Sequence, residues 1–318
     1  MSNTMQPIRL IVAGAGHLGR FHAQKIQANS NTELVGVFDI DTAKAQALAD
    51  EVSSHPLRAL NEVAADAVIV ATTTSSHLDV ACAAINLGMH VLVEKPIAPT
   101  IKEAQTIIDA AKSKGVVLAV GHTERFNPAV SAAMSLVVNP RYITSERLSP
   151  FSGRSIDVDV ILDLMIHDLD ILAALVSSEL REARAIGVPV LTNSVDMASA
   201  RLEFMDGTVA ELQAGRVSME PCRKIRFFTE QHYVSVDCAK REVKAVKLTP
   251  PAEGEKMGAV SGEPVTVPDW DPLAKQLENF VQSIQTEAEP VVSGEAGMRA
   301  LRLACAVRDI MTNPANPC

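Results

Sequence analysis

The sequence predicts an α/β fold in two domains: an N-terminal doubly wound parallel sheet and a C-terminal α+β domain with an open, largely antiparallel sheet. Length is the first reason, because 318 residues are more than one compact core usually holds. Up to residue 122, short apolar runs alternate with helical segments, as in βαβ units. Beyond Ser178, polar and apolar residues alternate, which is typical of strands with one solvated face. We therefore predict domains at 1–122 and 123–318.

A glycine-rich turn between a strand and a helix organises the first domain. The segment Ile8–Gly19, IRLIVAGAGHLG, contains G-x-G-x-x-G, and Asp39 follows at a spacing of about 20 residues. Gly14 permits a tight turn, Gly16 has no Cβ to block a pyrophosphate, and Gly19 lets the helix approach the strand. An ordinary glycine-rich turn with a helix-capping aspartate is the alternative. The spacing favours a dinucleotide-binding, Rossmann-type fold.

Asp39 also indicates which dinucleotide is bound. A carboxylate accepts hydrogen bonds from ribose hydroxyls and repels a 2′-phosphate, and no Lys or Arg follows Asp39 until Lys44. We predict NAD rather than NADP. The remaining candidate cofactor residues lie in the glycine turn or beyond the ends of later strands, where ligands of such sheets bind: His17, Leu18, Thr72, Thr73, His77 and Glu94.

Capping and turn residues indicate where the predicted helices and strands begin and end. In the first domain, we predict helices at 41–52, 77–88 and 100–114 and strands at 67–71, 90–93 and 116–120. In the second, Asn127-Pro128 begins a helix, and strands follow at 195–204, 208–217, 223–228 and 233–236. We predict an exposed loop at 248–268 and helices at 272–285 and 295–311, with packing of the last helix back on the first domain as one option.

The apolar segment Ile156–Val176 is long enough to be a helix, yet it carries five aspartates and a histidine. At helical spacing, four of these polar residues share one stripe: Asp159, Asp163, His167 and Asp170. One interpretation is a stripe that faces solvent, and a second is a metal site. The third is an acid/base site, in which Asp163 orients His167 or stabilises its charged form.

Lys95 supports the acid/base interpretation. It follows the strand at 90–93, so it is predicted to lie where a nicotinamide would bind. Its charge would favour an alkoxide on a substrate. A solvent-facing loop lysine is the alternative.

Composition excludes several classes of protein. The net charge of −9 argues against a nucleic-acid partner. Neither a signal peptide nor a membrane-spanning run is expected from the sequence. The five cysteines are scattered, as expected for reduced thiols in a cytoplasmic protein.

These motifs together resemble the glucose–fructose oxidoreductase, inositol dehydrogenase and MocA family. The resemblance rests on AGAGHLGR, Asp39, Glu94-Lys95-Pro96, Gly121-His122, Arg125 to Pro128 and the Asp163-x-x-x-His167-x-x-Asp170 pattern. It implies a Rossmann domain, a sheet domain that often forms a homodimer or homotetramer interface, and oxidation or reduction of a sugar or cyclitol hydroxyl with a nicotinamide cofactor. By motif match, Lys95, Asp163 and His167 would be the catalytic group.

The segment RVSMEPCRKIRFF, residues 216–228, resembles the branch of this family that includes UDP-N-acetylglucosamine 3-dehydrogenases. Lys224 and Arg226 alternate with apolar residues and would project from one face of a strand. They could bind a nucleotide diphosphate together with Arg147, Arg154 and Arg223, or they could form a solvated rim or an oligomer interface. The other candidate substrate residues are His122, Arg125 and Asp170.

The prediction from the sequence is therefore an NAD-dependent dehydrogenase of a sugar-type secondary alcohol, for which the 3-hydroxyl of a UDP-N-acetylhexosamine is a candidate. A dehydrogenase of a free sugar or of inositol is the alternative substrate class. Two other classes stay open: a non-catalytic NAD-binding regulator, and a metal-assisted enzyme that uses the aspartate stripe.

Overall fold

The computed structural model describes residues 6–151, 153, 158–254 and 256–312. The chain forms two compact units. The first takes in the residues up to Thr123 together with Asp271–Met298, and the second takes in Glu124–Trp270 and the residues from Arg299 on.

A six-stranded parallel sheet forms the centre of the first unit. Its strands are β1 (Ile8–Ala13), β2 (Thr32–Phe38), β3 (Pro56–Leu57), β4 (Ala67–Val70), β5 (His90–Glu94) and β6 (Leu118–Gly121). The spatial order is β3-β2-β1-β4-β5-β6, which is the order of two mononucleotide-binding halves. The predicted doubly wound sheet is confirmed.

Capping residues that the sequence indicates mark the ends of several helices in the first unit. These helices are α1 (His17–Ala28), α2 (Thr42–Glu51), α3 (His77–Asn86) and α4 (Ile101–Lys114). The Asp41 carboxylate accepts backbone hydrogen bonds at the start of α2, and the Thr100 hydroxyl does so for α4, as expected of these residue types. Gly115 ends α4 in the left-handed region at φ +66°, where glycine carries no steric penalty.

A short helix, α5 (Pro128–Met134), opens the second unit. The Asn127 side chain accepts a hydrogen bond from the Ala129 N–H, and Pro128 occupies the first helical position. The predicted start of this helix is confirmed.

The helix α7 (Pro272–Thr286) belongs to the first unit, although the predicted boundary assigned it to the second domain. Leu277, Phe280 and Val281 on its apolar face are buried in the same core cluster as Val12 of β1 and Ile69 of β4. Burial of this face explains why a helix so late in the chain completes the first unit.

The last helix, α8 (Gly294–Thr312), contributes residues to both units. At its start, a Cβ on Gly297 would lie 2.6 Å from the Val120 side chain of β6. Near its end, Arg308 forms an ion pair with Asp159 of the second unit. The first turn of α8 therefore packs against the parallel sheet, and its later turns belong to the second unit.

An eight-stranded sheet forms the second unit, in the order β14-β13-β12-β11-β7-β10-β9-β8. Its strands are β7 (Tyr142–Leu148), β8 (Leu180–Val188), β9 (Met197–Phe204), β10 (Val209–Gly215), β11 (Cys222–Phe228), β12 (His232–Asp237), β13 (Glu242–Thr249) and β14 (Ala259–Glu263). Among these neighbours, the β7–β10 pair is parallel and the others are antiparallel. The predicted open, largely antiparallel sheet is confirmed.

Two local predictions in the second unit were wrong. The predicted loop at 248–268 contains β14, an edge strand whose side chains are exposed or half-buried, so it lacks the alternation that marks a strand with one buried face. The helix predicted from Ile156 is helical only from Val160 on, because Val158 and Asp159 are not helical, and it opens with a π-helical turn, Ile161–Met165, before α6 (Ile166–Leu175). Ile156 and Asp157 lie outside the described residues.

The two faces of the eight-stranded sheet differ in what covers them. Ser145 and Ile225 are paired across β7 and β11 and are both buried, and the carboxylate of Asp168 in α6 accepts a hydrogen bond from Ser145 Oγ at 2.7 Å. We call this side the helix face. The alternate residues of the same strands, such as Glu146 and Lys224, lie on the other side, the open face. Each helix among the described residues is too short or too polar to span a lipid bilayer.

Candidate active site

The glycine turn has the geometry of an anion site. Gly14 has φ +106°, and a Cβ there would lie 2.4 Å from the Ala71 carbonyl oxygen. A Cβ on Gly19 would lie 1.7 Å from the Gly14 carbonyl oxygen, so the close approach of α1 to the turn requires glycine. A Cβ on Gly16 would meet nothing within 4 Å. His17 and Leu18 are exposed in the first turn of α1, whose N-terminal N–H groups favour phosphate.

Asp39 lies immediately after β2, beside the glycine turn. Its Oδ2 accepts a hydrogen bond from the Ala15 N–H at 2.7 Å, and its Oδ1 accepts one from the Asp41 N–H at 2.8 Å. These two bonds hold the carboxylate in place, and each oxygen retains a lone pair for a ribose hydroxyl. The residues present therefore fit a dinucleotide whose ribose hydroxyls bind to a carboxylate.

The turn after β4 is joined to the turn after β5 through a buried histidine. His77 Nδ1 lies 2.9 Å from the Pro96 carbonyl oxygen, and Nε2 lies 3.3 Å from the Thr72 carbonyl oxygen. Burial lowers the pKa of His77, although the two carbonyls oppose this effect. A neutral imidazole donates once, and the shorter contact favours donation to Pro96. Thr72 is half-buried and Thr73 is exposed, so these two remain accessible to a cofactor.

Glu94 lies at the end of β5 and is held from three sides. Its Oε1 lies 2.8 Å from Nε2 of His22 in α1, and its Oε2 accepts a hydrogen bond from the Lys95 N–H at 3.2 Å. A Cβ on Gly121 would lie 2.8 Å from this carboxylate. Glu94 and His22 are buried, whereas Lys95 is half-buried and precedes a cis peptide bond to Pro96. Glu94 therefore supports the backbone of Lys95, beneath the accessible surface.

His22 was not singled out from the sequence. It is 1% exposed and lies on the face of α1 that also buries Gly19, Ala23 and Ile26. This i, i+3, i+4, i+7 spacing marks the inner face of a helix. A histidine at such a position needs a buried polar partner, which is the signal that would have revealed it.

In the second unit, the polar residues of the predicted helix stripe differ in how exposed they are. Asp163, in the π-helical turn, and His167, in α6, are half-buried, whereas Asp170 is 1% exposed. Asp159 lies ahead of the helix, where its Oδ1 accepts hydrogen bonds from the N–H groups of Ile161 and Leu162. The stripe is therefore not uniformly exposed: Asp170 is enclosed, whereas Asp163 and His167 remain partly accessible. Among the described residues, no group of three or more His, Cys, Asp or Glu side chains could hold a metal ion.

Asp170 has an unusual environment among the carboxylates of this helix. Burial raises its pKa to about 7, although the charges of Arg125 and Arg299 oppose the rise. Arg125 Nη1 lies 3.4 Å from Asp170 Oδ1, and the Arg125 side chain is 9% exposed. Both predicted substrate residues are thus engaged with each other inside the second unit, where Asp170 changes its protonation state near neutral pH.

Arg147 is also engaged inside the second unit. Its side chain is 4% exposed; Nη2 lies 2.7 Å from Asp168 Oδ1, and Nη1 lies 3.4 Å from Glu124 Oε1. Burial would lower the pKa of Arg147, but Asp168 and Glu124 raise it above its usual value. These carboxylates occupy the donors that were predicted to bind a nucleotide diphosphate.

Four other predicted substrate residues remain: Lys224, Arg226, His122 and Arg154. Lys224 and Arg226 do share one face of β11, as predicted, but it is the open face, opposite the helix that carries Asp163 and His167. Arg226 Nη1 lies 2.9 Å from Glu146 Oε1. His122 is 0% exposed after β6. Arg154 lies outside the described residues.

The fold and the glycine turn define a dinucleotide-binding protein of the Rossmann type. Residues 8–122 match the family model described as an oxidoreductase family with an NAD-binding Rossmann fold. The chain is 39% identical over 308 residues to UDP-N-acetylglucosamine 3-dehydrogenase of Acidithiobacillus ferrooxidans, covering 95% of this chain and 96% of that protein. The chain belongs to the glucose–fructose oxidoreductase, inositol dehydrogenase and MocA family.

Solved structures and a second relative agree with this membership. A crystal structure of the Acidithiobacillus ferrooxidans enzyme has a TM-score of 0.87 and 38% identity, covering 96% of this chain and 98% of that chain. The scyllo-inositol 2-dehydrogenase (NAD(+)) of Bacillus subtilis is 29% identical over 66% of this chain and 68% of that protein. A Lactobacillus casei scyllo-inositol dehydrogenase with bound NAD(H) and scyllo-inositol shares the fold, with a TM-score of 0.79 and 18% identity over 97% of this chain and 98% of that chain. The predicted family, the dehydrogenase class and NAD as the cofactor are confirmed.

Proposed function

We propose that this protein oxidises the 3-hydroxyl of UDP-N-acetylglucosamine with NAD⁺ as the hydride acceptor. The observation that carries the proposal is the similarity over nearly the whole chain to a UDP-N-acetylglucosamine 3-dehydrogenase, at 39% identity. The similarity extends through the second unit and is supported by a TM-score of 0.87. The Rossmann domain supplies the cofactor site. Similarity in the second unit therefore bears on which substrate is bound.

The residues of the first unit would hold the cofactor in stated roles. Gly14 and Gly19 allow the close backbone approaches that shape the turn, and Gly16 leaves open space for the pyrophosphate at the N-terminus of α1. Asp39 would accept hydrogen bonds from the adenosine ribose. Bound NAD⁺ supplies a carbon that accepts the hydride from C3 of the sugar. Thr72 and Thr73 would lie along the cofactor, and Glu94 and His77 would fix the turns that border it.

The chemistry requires a base for the hydroxyl proton and a cation for the oxygen. His167 would take the proton from the 3-hydroxyl while the C3–H bond breaks and the C–O bond becomes a carbonyl. Asp163, four residues earlier, would orient the imidazole and stabilise its protonated form. Lys95 would stabilise the negative charge that develops on the oxygen. The half-burial of Asp163, His167 and Lys95 is compatible with contact to a substrate.

The open face of the eight-stranded sheet supports a further proposal, self-association. Apolar side chains at its β8 edge are exposed, including Ile186 at 64% and Val188 at 44%, and such a surface is favourable to bury against a second copy. We propose a homodimer or homotetramer formed through this face.

A cytoplasmic location is also proposed, supported by the free thiols of Cys82, Cys222, Cys238 and Cys305.

A substrate panel tests the proposed reaction. Purified protein with NAD⁺ would be mixed in turn with UDP-N-acetylglucosamine, UDP-glucose, free N-acetylglucosamine, scyllo-inositol and myo-inositol, and NADH absorbance would be followed. We expect the highest kcat/KM with UDP-N-acetylglucosamine and a product lighter by two hydrogen atoms in the mass spectrum. A higher kcat/KM with an inositol would overturn the substrate, and no turnover with any sugar would favour an NAD-binding regulator. Replacing NAD⁺ with NADP⁺ should lower kcat/KM, because Asp39 repels a 2′-phosphate.

A further inference from the structure

The segment that begins the helix of Asp163 and His167 is held in place by three side chains, those of Asp159, Arg308 and Arg216. The Oδ1 atom of Asp159 accepts hydrogen bonds from the N–H groups of Ile161 at 3.1 Å and Leu162 at 3.0 Å. Its own carbonyl oxygen accepts a hydrogen bond from the Asp163 N–H at 3.0 Å. Asp159 therefore directly fixes the position of the Asp163 backbone.

Asp159 is in turn held by the last helix of the chain. Arg308 Nε of α8 lies 2.7 Å from Asp159 Oδ2, the oxygen that does not cap the helix. The Asp159 side chain is 15% exposed and the Arg308 side chain is 39% exposed. Because one oxygen binds the helix and the other binds α8, the carboxylate links the two elements.

Arg216 contributes a separate anchor, one residue earlier. Its Nη1 donates a hydrogen bond to the Val158 carbonyl oxygen at 2.8 Å, and its Nε donates to Asp196 Oδ1 at 2.7 Å. Both Arg216 and Asp196 are buried. The backbone hydrogen bond from the Val160 N–H to the Val195 carbonyl oxygen, at 3.1 Å, lies beside this pair.

Asp196 makes the anchor at Arg216 rigid. Its Oδ2 accepts hydrogen bonds from three consecutive backbone N–H groups, those of Val190, Leu191 and Thr192, at 2.7–2.8 Å. Burial would raise the pKa of Asp196, but Arg216 and these N–H groups lower it below its usual range. Asp196 is therefore a fixed carboxylate that holds Arg216 in place. Arg216 in turn fixes the position of the Val158 carbonyl group.

We propose that Asp159, Arg216 and Arg308 are positioning residues that set where Asp163 and His167 lie for the reaction. The inference deepens the proposed function and rests on it. A π-helical turn separates the anchored residues from α6, and such a turn is less regular than an α-helix. The start of the helix therefore needs external contacts to define its position. Displacement of a catalytic group by about 1 Å is enough to lower a rate by up to about 100-fold.

The variants Asp159→Ser and Arg308→Leu test this proposal. Serine keeps a capping oxygen for the helix but loses the ion pair, and Arg308 is exposed enough that its replacement should leave the fold intact. We expect the single-turnover rate of NADH formation to fall about tenfold in each, with the Kd for NAD⁺ unchanged. The double variant should be no slower than the slower single variant, because both remove the same interaction. Arg308→Lys should recover most of the rate.

A matched control comes from the other end of α8. Glu295 Oε1 lies 2.6 Å from Lys112 Nζ, and Glu295→Gln removes this ion pair of the same helix away from Asp159. We expect this variant to turn over at the wild-type rate.

His167→Ala, measured in parallel, distinguishes failure of the positioning role from failure of the proposed function. An inactive His167→Ala with wild-type single-turnover rates in Asp159→Ser and Arg308→Leu would overturn the positioning role alone, even if both variants had a lower Tm. A His167→Ala variant that turns over normally would overturn the proposed catalytic roles and the positioning role with them.

Discussion

Both faces of the eight-stranded sheet carry arginine–carboxylate pairs, but the pairs are buried on one face and partly exposed on the other. On the helix face, Arg147 is bound by Asp168 and Glu124 and is almost entirely buried. On the open face, Arg226 is bound by Glu146, with both side chains about one-third exposed. The strands that carry the two arginines are hydrogen-bonded neighbours. The side of the strand on which an arginine lies, rather than its residue type, therefore decides whether it supports the interior or forms part of a surface.

The largest expected effect concerns the two proposed catalytic groups, His167 in the helix on the helix face and Lys95 in the first unit. His167→Ala removes the proposed base, and Lys95→Ala removes the proposed cation that stabilises the oxyanion. Each should lower kcat by about 10²–10⁴-fold. The Kd for NAD⁺, measured by fluorescence titration, should stay close to that of the wild type. A kcat near the wild-type value in either variant would remove that residue from the reaction.

The second effect concerns stability on the helix face. Asp168→Ala leaves Arg147 buried without its main partner, which should lower the free energy of unfolding by about 3–5 kcal/mol. Urea denaturation followed by circular dichroism measures the change. A loss below about 1 kcal/mol would mean that the two faces do not differ in the way described.

The third effect is a pH dependence within the same helix. The pKa of Asp170, about 7 in the folded protein, exceeds its unfolded value of about 3.9, so the folded state binds more protons between these values. Its contribution to stability is fully present below the unfolded pKa and is lost as the pH rises through about 7. Asp170→Asn should lack this component. The measurement is the difference between wild-type and variant unfolding free energies at about pH 5 and about pH 8; a difference that does not change with pH would contradict the prediction.

The smallest effect is expected on the open face. Arg226→Ala should lower the unfolding free energy of the subunit by about 0.2–1 kcal/mol, measured at a dilution where sedimentation shows monomers. The KM for UDP-N-acetylglucosamine should not change, because Arg226 lies opposite the helix that carries His167. A large rise in KM would restore Arg226 to the substrate site, as the sequence first indicated. Sedimentation at higher concentration would show whether the variant also weakens self-association.

Local patterns explain how much could be predicted. The glycine turn, Asp39 and the caps Asp41 and Thr100 act within a few residues of sequence, so they could be recognised without coordinates. The alternation of Lys224 and Arg226 with apolar residues correctly predicted a shared face. It could not indicate which face, because that depends on where helices from elsewhere in the chain pack.

The missed features depend on partners that are distant in sequence. The predicted aspartate stripe assumes the spacing of a regular α-helix. The π-helical turn at Ile161–Met165 has no signal in the amino-acid composition. The pairing of Asp159 with Arg308 joins residues far apart in the sequence. His22 and Glu94, which support Lys95, also come together only when α1 packs on the parallel sheet. Burial and long-range pairing decided these roles.

Isotope transfer tests the proposed oxidation at C3 most directly. UDP-N-acetylglucosamine carrying deuterium at C3 would be incubated with the protein and NAD⁺, and the cofactor and sugar would be separated and weighed by mass spectrometry. We predict that the deuterium is found in the reduced cofactor and that the sugar has lost it. Deuterium retained in the sugar, or released to water while the cofactor stays unlabelled, would contradict hydride transfer from C3.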